Sequence, residues 1–259
     1  MVSSMVLRDV AVTHDHPDAE MDALEVSFQE LNQKIRLAAE RGTRRIVLRR
    51  VYGQRYIGTR LNGLPPVGVE IFGTPGNDLG AFMDGHVILV HGNAQDGVGN
   101  TMHGGEIIVE GRAGDVLGMS MISGSILVRD DAGYRAALHM KQYGRTVPSI
   151  VIGGTAQDFL GEYMAGGRLV LLGLGMRKHR MSFIGTGIHG GVIYMRGPFS
   201  NDQLGEAAEI TPLRSADLAY LSAQIGKFGE AFGLPEEISP EQFSKIVPRG
   251  KRPYSSLYA

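Results

Sequence analysis

A glycine-rich stretch is the first candidate for chemistry in this chain. Residues Gly185–Gly190 match the pattern G-x-G-x-x-G, which binds the pyrophosphate of a dinucleotide when it leads from a strand into a helix. Here it leads into residues 192–195 (VIYM), whose β-branched and apolar character predicts a strand. The stretch therefore predicts a turn between strands rather than a nucleotide site.

The histidines are too scattered for a metal site. His14 and His16 flank Asp15 near the N-terminus, where a chance polar cluster is favoured over a set of metal ligands. His103 and His189 share the sequence His-Gly-Gly, but they lie about four repeats apart, or ~19 Å when repeats stack at strand spacing. These two cannot share a metal ion or a proton, and each is predicted to bond the backbone at a turn.

Acidic residues recur at one position of the repeat. Asp96, Asp115 and Asp158 each lie three residues before a glycine, and Asn77 holds that place one repeat earlier. A row of this kind could bind calcium, but calcium-binding repeats have a nine-residue period and a second set of glycines that this chain lacks. Asp and Asn also favour turns by bonding their own backbone two residues on, and this interpretation is favoured.

A basic cluster at residues 177–180 (RKHR) interrupts the longest repeat. It either contacts an anionic partner surface or keeps a loop solvated, and the second interpretation is favoured. The chain has no Walker loop, no G-x-S-x-G and no H-E-x-x-H. We therefore predict no catalytic, cofactor-binding or metal-ligating residue in this chain.

Composition excludes several further classes. The 259 residues include no cysteine, which rules out disulfides, cysteine-ligated zinc or iron–sulfur clusters and a thiol nucleophile. A net charge of −1 predicts no nucleic-acid partner. No signal peptide is visible, and no apolar run approaches the roughly 18 residues of a membrane span. A cytoplasmic protein without a membrane partner is expected.

The 37 glycines are about twice the ordinary ~7% usage, and they recur in phase. Gly80, Gly99 and Gly118 are 19 residues apart, and each repeat starts with a β-branched run such as residues 107–109 (IIV). A 19-residue period fits three short strands joined by glycine turns, and such coils stack into a parallel β-solenoid. The chain is thus predicted to be all-β, a right-handed parallel β-helix of about seven coils over residues 44–198.

Helical segments are expected at both ends of the β-helix, because open solenoid ends expose core and backbone. Residues 1–43 form an N-terminal segment with a capping helix, and residues 199–259 form a C-terminal helical extension. The N-terminal helix starts at Ser27 with a capping box and presents Phe28, Leu31, Ile35 and Ala38, ending near Gly42. The extension is predicted to hold a helix that Ser215 caps and that ends at Gly233, with Leu218, Leu221, Ile225 and Phe228 on its apolar face. A shorter helix is predicted to open at Ser239, to carry Phe243 and Ile246 and to stop before Pro248.

The phased repeat resembles the GXGXG domain family, which includes the C-terminal domain of the glutamate synthase large subunit and the β-helical subunit of formylmethanofuran dehydrogenase. The resemblance spans about residues 30 to 198, and the synthase domain is the closer. Its first-coil step Val-Gly-Thr-x-Leu-Ser-Gly corresponds here to residues 55–63 (RYIGTRLNG). Residues 76–85, 96–105 and 162–173 are also similar to that domain, whereas residues 129–133 (RDDAG) depart from its usual Arg-Asn-Ser-Gly.

The resemblance implies a stand-alone counterpart of the third, C-terminal domain of a glutamate synthase-like large subunit. In that family the glutaminase nucleophile, the FMN site and the iron–sulfur clusters lie in other domains, so no catalytic residue carries over. The implied function is a non-catalytic scaffold that positions a glutaminase (amidotransferase) subunit and an FMN/iron–sulfur synthase subunit, in a glutamate synthase or N-methylglutamate synthase complex. Self-association of the chain stays open.

Two alternatives remain. The chain could be the corresponding GXGXG subunit of a formylmethanofuran dehydrogenase or formyltransferase/hydrolase complex, in which case its partners differ. An independent hydrolase with a site in the solenoid groove is disfavoured, because no nucleophile and base have a recognisable spacing.

Overall fold

The computed structural model describes residues 18–250, so His14, Asp15 and His16 lie outside it. Within these residues, eleven strands form one sheet, accompanied by two α-helices. The strands are β1 (Asp18–Asp22), β2 (Arg45–Tyr52), β3 (Gly68–Thr74), β4 (His86–His91), β5 (Gly105–Val109), β6 (Ser125–Val128), β7 (Ser149–Ile152), β8 (Ala165–Leu171), β9 (Gly190–Arg196), β10 (Ala208–Thr211) and β11 (Phe243–Pro248). The helices are α1 (Phe28–Glu40) and α2 (Ser215–Phe232).

Consecutive strands from β1 to β9 are parallel neighbours, as stacked coils require. Ile88 pairs with Ile107, and Ile107 pairs with Ile126, each 19 residues further on. Between β6 and β7 the step widens, and Ile126 pairs with Ile150. The predicted β-helix of about seven coils is confirmed.

Identical inward positions form the core and explain the phased glycines. The side chains of Ile88, Ile107, Ile126 and their counterparts further along are fully buried. A Cβ on Gly99 would lie 2.4 Å from Cδ1 of Ile126, closer than van der Waals contact allows. Gly99 also has φ +68°, where glycine has no steric cost. The phased glycine thus leaves room for an isoleucine of the β-sheet.

The coils differ from the prediction in one respect, because each contains one regular strand rather than three. The remainder of a coil consists of turns with left-handed residues. Their N–H groups donate in turn to the next coil and to the previous coil along the solenoid axis. Gly97 N donates to Asp115 O at 2.9 Å in the next coil, and Gly99 N donates to Leu79 O at 2.8 Å in the previous coil. The turns therefore satisfy buried backbone groups without extended strands.

Helix α1 closes the N-terminal end of the core. Ser27 Oγ accepts a hydrogen bond from Glu30 N at 3.2 Å, which confirms the predicted cap. Leu31, Ile35 and Ala39 join the buried cluster inside the coils. Ala39 is the buried alanine of this face, one residue after the predicted Ala38.

Helix α2 packs on the outer face of the sheet. Its apolar side chains Leu221, Ile225 and Phe228 contact a second buried cluster that includes Leu127 and Val151. The helix begins one residue earlier than predicted, because Asp217 Oδ2 accepts from Arg214 N at 2.7 Å and makes Arg214 the N-cap. Within the described residues, neither helix is long and apolar enough to cross a membrane.

The helix predicted from Ser239 is wrong. The structure has a short 3-10 turn, Pro240–Gln242, followed by strand β11, which pairs antiparallel with β9, while β10 pairs antiparallel with β11. Residues three apart on a strand face opposite sides of the sheet, and both are buried here because Phe243 lies in the cluster under α2 and Ile246 in the core inside the coils. The open edge of β9 offers unpaired backbone groups, and pairing them outweighs local helix preference.

Candidate functional site

The predicted acidic row links coils rather than binding its own backbone. Asp96 Oδ1 accepts from Asp115 N at 2.9 Å, and Asp115 Oδ1 accepts from Tyr134 N at 2.8 Å. Asp158 Oδ1 accepts from Ser182 N at 2.8 Å in the same way. Each carboxylate is therefore used to hold the next coil in register. In residues 18–250, no group of three or more His, Asp or Glu could hold a metal ion.

The glycine-rich stretch Gly185–Gly190 forms the predicted turn. Gly185 and Gly187 have φ values of +68° and +66°, and Gly190 begins strand β9. Ile188 lies between them in the buried core. The stretch therefore occupies a coil position and does not start a helix.

Two histidines are structural and buried. His86 Nδ1 accepts from Val67 N at 3.2 Å, and its Nε2 donates to Leu61 O at 3.0 Å. His179 donates through Nε2 to Arg196 O at 2.8 Å and accepts at Nδ1 from Thr155 Oγ1 at 3.0 Å. Burial lowers the pKa of both imidazoles, which favours their neutral forms.

The remaining predicted histidines differ from each other. His189 Nδ1 donates to Gly187 O at 3.1 Å, as expected of a turn residue. The exposed His103 side chain makes no such bond within the described residues, so its prediction is wrong. The cluster at residues 177–180 is also split, because Arg177, Lys178 and Arg180 are exposed while His179 is inside.

A histidine between two carboxylates, which sequence reasoning missed, links three coils. His91 Nε2 lies 2.8 Å from Glu70 Oε1, and His91 Nδ1 lies 2.7 Å from Glu110 Oε2. Arg45 contacts Glu70 at 2.7 Å, and the Phe72 ring stacks on His91 at 4.3 Å between centroids. Partial burial lowers the pKa of His91, but hydrogen bonds and charge from both carboxylates outweigh it, so the pKa is raised.

The pKa of Glu70, one of the two carboxylates, shifts in the opposite direction. Partial burial raises the pKa of Glu70, but hydrogen bonds from His91 and Arg45 and their charges outweigh it, so its pKa is lowered. Each ring nitrogen of His91 faces a carboxylate oxygen at hydrogen-bond distance. Because carboxylates accept, both nitrogens donate, and this geometry favours the cationic imidazole. The cluster is an ion-pair clamp between coils.

Replacing His91 by Gln should make stability less dependent on pH. Because the folded-state pKa of His91 is raised, its contribution is complete below the unfolded value of about 6.5 and is lost as pH rises through the folded-state pKa. The wild-type protein should therefore lose about 1 kcal/mol more unfolding free energy than His91→Gln between pH 6 and pH 9. Urea unfolding at both pH values measures this, and His103→Gln is the control. Equal losses in wild type and His91→Gln would contradict the clamp.

A second missed cluster anchors helix α2. The Tyr194 hydroxyl donates to Asp217 Oδ1 at 2.6 Å, and Lys245 Nζ donates to Asp217 Oδ2 at 2.8 Å. Burial raises the pKa of Asp217, but hydrogen bonds from Lys245, Tyr194 and the Arg214 backbone outweigh it, so the pKa is lowered. Burial, followed by the hydrogen bond to Asp217, raises the pKa of Tyr194. The shifts of Asp217 and Tyr194 therefore both favour the forms that the two side chains have near neutral pH, so neither is suited to transfer a proton there.

A third missed feature is a set of rings on the turn side of the last coils, which we term the aromatic face: the exposed His139, Tyr163 and Phe183, and the partly buried Phe159. All four have positive φ, from +50° to +64°. Their rings stack in two columns, His139 on Tyr163 at 5.4 Å and Phe159 on Phe183 at 4.8 Å. Arg135 covers the free side of Phe159 at 4.5 Å and pairs with Glu162.

Backbone energetics do not account for the aromatic face. A left-handed conformation costs a non-glycine residue about 1–2 kcal/mol. The corresponding positions in other coils carry Gly97 and Gly187, but also Asp78 and Val116 with positive φ. Tyr163 and Phe183 are 46% and 52% exposed, so burial does not offset that cost. Bulky residues at strained, exposed positions point to a function outside folding.

Most of the polar side chains described above bond other parts of the fold. Asp96, Asp115, Asp158 and the imidazole of His91 bond neighbouring coils, and Asp217 anchors α2. Among described side chains, every fully buried nitrogen and oxygen has a hydrogen-bond partner. The aromatic face is the feature that internal structure leaves unused.

Comparisons with known proteins match this description. The family model described as GXGXG motif matches residues 30–248. The uncharacterized protein MJ1350 of Methanocaldococcus jannaschii is 50% identical over 251 residues, covering 92% of this chain and 95% of that protein. A chain of the formyltransferase/hydrolase complex from Methylorubrum extorquens, solved with methylofuran, has a TM-score of 0.58 at 17% identity, covering 85% of this chain and 88% of that chain.

Proposed function

Because the chain belongs to the GXGXG motif family, we propose that it is a non-catalytic scaffold subunit of a glutamate synthase-like oxidoreductase complex. It positions an amidotransferase subunit against a synthase subunit that carries FMN and iron–sulfur clusters. The cofactors belong to the partners in this proposal, and the chain itself supplies none of their ligands.

The observation that carries the proposal is the use of polar side chains in the coils. Asp96, Asp115 and Asp158 bond the next coil, and His91 is clamped by two carboxylates. A general base or nucleophile needs a free lone pair facing a substrate. Polar side chains that hold neighbouring coils in register make the β-helix a rigid support. Repeat proteins use the extended surfaces of such supports for binding.

A second candidate is a scaffold subunit of a one-carbon complex. Its support is the likeness in fold to a chain of a formyltransferase/hydrolase complex, at a TM-score of 0.58. In that case the partner subunits would carry formyl-transfer chemistry in place of flavin chemistry. The two candidates predict the same behaviour of the isolated chain and differ in what it binds.

Affinity purification of the tagged chain from its native cells tests the proposal. We expect subunits with the visible absorption of FMN and iron–sulfur clusters to co-purify with an amidotransferase, identified by mass spectrometry. The isolated chain should be colourless and without glutaminase turnover. Co-purification of a formyltransferase would favour the second candidate, whereas turnover by the pure chain would overturn the scaffold assignment altogether.

A further inference from the structure

We propose that the aromatic face is the docking surface for a folded protein partner whose contacting surface is acidic around an apolar centre. The inference rests on the proposed function, since it names where a scaffold subunit holds one of its partners. Its support comes from exposed rings, from the charge around them and from how the rings stack.

The rings have the composition of an interface centre. Aromatic residues and arginine are enriched in protein interfaces and dominate their binding energy. Phe159, Tyr163 and Phe183 project from two adjacent coils, and Arg135 lies against Phe159. The Tyr163 ring lies over Gly187, where a Cβ would meet Tyr163 Cδ1 at 2.4 Å. A larger residue at position 187 would displace that ring, so the glycine helps to shape the face.

The segment that carries the face is rich in cations. Residues 135–180 contain seven Arg and Lys but only two acidic residues, whereas the whole chain has a net charge of −1. One of the seven, Arg168, lies over the Tyr220 ring of α2 and is not counted toward the face. Both acids are engaged, because Asp158 bonds Ser182 N and Glu162 pairs with Arg135. The exposed Arg177, Lys178 and Arg180 lie in the loop that leads to Phe183. A complementary partner is therefore acidic.

The charge and stacking also separate this partner from other occupants. In a two-fold symmetric dimer a face meets itself, so a second copy would bring cations against cations. Nucleic acids bind by stacking bases on the faces of aromatic rings. Here each ring has one face covered by its stacking partner, at interplanar angles of 10° and 12°, and Arg135 and Gly187 lie against Phe159 and Tyr163. The exposed ring edges suit an apolar pocket on a protein.

The test uses the partner identified by co-purification with the wild-type chain. Purified partner is titrated with wild type, with Phe159→Ser/Tyr163→Ser/Phe183→Ser, and with Arg177→Glu/Lys178→Glu/Arg180→Glu. We expect the aromatic variant to raise the Kd at least about 100-fold, and the charge variant to lower the association rate about tenfold at low salt. Tyr52→Ser, on an 87% exposed ring at the end of β2, should leave the Kd within about twofold.

Each outcome has a distinct meaning. If wild type recruits no synthase or amidotransferase subunit, the proposed function fails. If the complex forms but the aromatic variant binds as tightly as wild type, this docking surface is wrong while the scaffold function is retained. Circular dichroism checks that the triple variant folds, and Phe183→Ser alone takes its place if it does not. If wild type binds a labelled oligonucleotide and the aromatic variant does not, the occupant of the face is a nucleic acid. If wild type sediments as a dimer and the aromatic variant as a monomer, the occupant is a second copy of the chain.

Discussion

Gly105→Ala should unfold the protein or lower its unfolding free energy by about 4 kcal/mol or more. Gly105 has φ +92°, and an added Cβ would lie 2.1 Å from His86 O and 2.8 Å from His86 N. Both atoms belong to backbone, and His86 is fully buried and bonded to Val67 and Leu61. The clash cannot be relieved by turning a side chain, so the strands β4 and β5 must separate.

Gly85→Ala is the matched control for this substitution. Gly85 also has positive φ, +77°, and also precedes a strand interior, but a Cβ there meets nothing within 4 Å. It should lose only the left-handed penalty of about 1–2 kcal/mol. Urea unfolding followed by circular dichroism compares the two. Similar losses in both variants would show that φ, rather than contact with His86, sets the cost.

Asp217→Asn should lower the unfolding free energy by about 3 kcal/mol. The substitution removes the charge that pairs Lys245, and the side chains of Lys245 and Asp217 are only 12% and 10% exposed. Because the pKa of Asp217 is lowered in the folded protein, the loss should be complete above its unfolded value of about pH 4. It should shrink as pH falls through the folded-state pKa, since the wild-type carboxylate is then protonated too.

Two further variants separate the charge from the helix. Glu230→Gln changes an acid of α2 outside the cluster, and its effect should stay within about 0.5 kcal/mol. Adding Lys245→Met to Asp217→Asn should recover part of the loss, because the buried cation is no longer unpaired. Chemical denaturation at pH 7 measures all three. A double variant less stable than Asp217→Asn would mean that Lys245 stabilises the fold independently of the pair.

The solenoid could be predicted from sequence because the same physical constraint recurs in every coil. One glycine such as Gly99 is ambiguous, but a glycine every 19 residues beside an isoleucine ladder admits few folds. Strand β11 could not be predicted in this way. Its partner is the edge of β9, which lies far away in sequence, and the spacing of Phe243 and Ile246 fits a helix as well.

The candidate site was less accessible to sequence reasoning. The stacking of coils brings together His91, Glu70 and Glu110. Outward positions of the strands do not repeat one residue type from coil to coil, so the sequence pattern does not single these three out. The aromatic face did leave a signal, since Phe159 and Tyr163 lie two residues on either side of the phased Gly161. Recognising it required knowing that those flanking positions are left-handed and project outward.

The constant 19-residue step between β4, β5 and β6 also bears on how such a protein can change in length during evolution. Duplication of a gene segment that encodes one coil would insert a layer whose aspartates and glycines match both neighbours. Insertion of a single residue within a strand would turn the following inward side chains of that strand outward. The β-helix can therefore lengthen in steps of about 4.8 Å, one coil at a time, without disturbing the packing of the coils on either side.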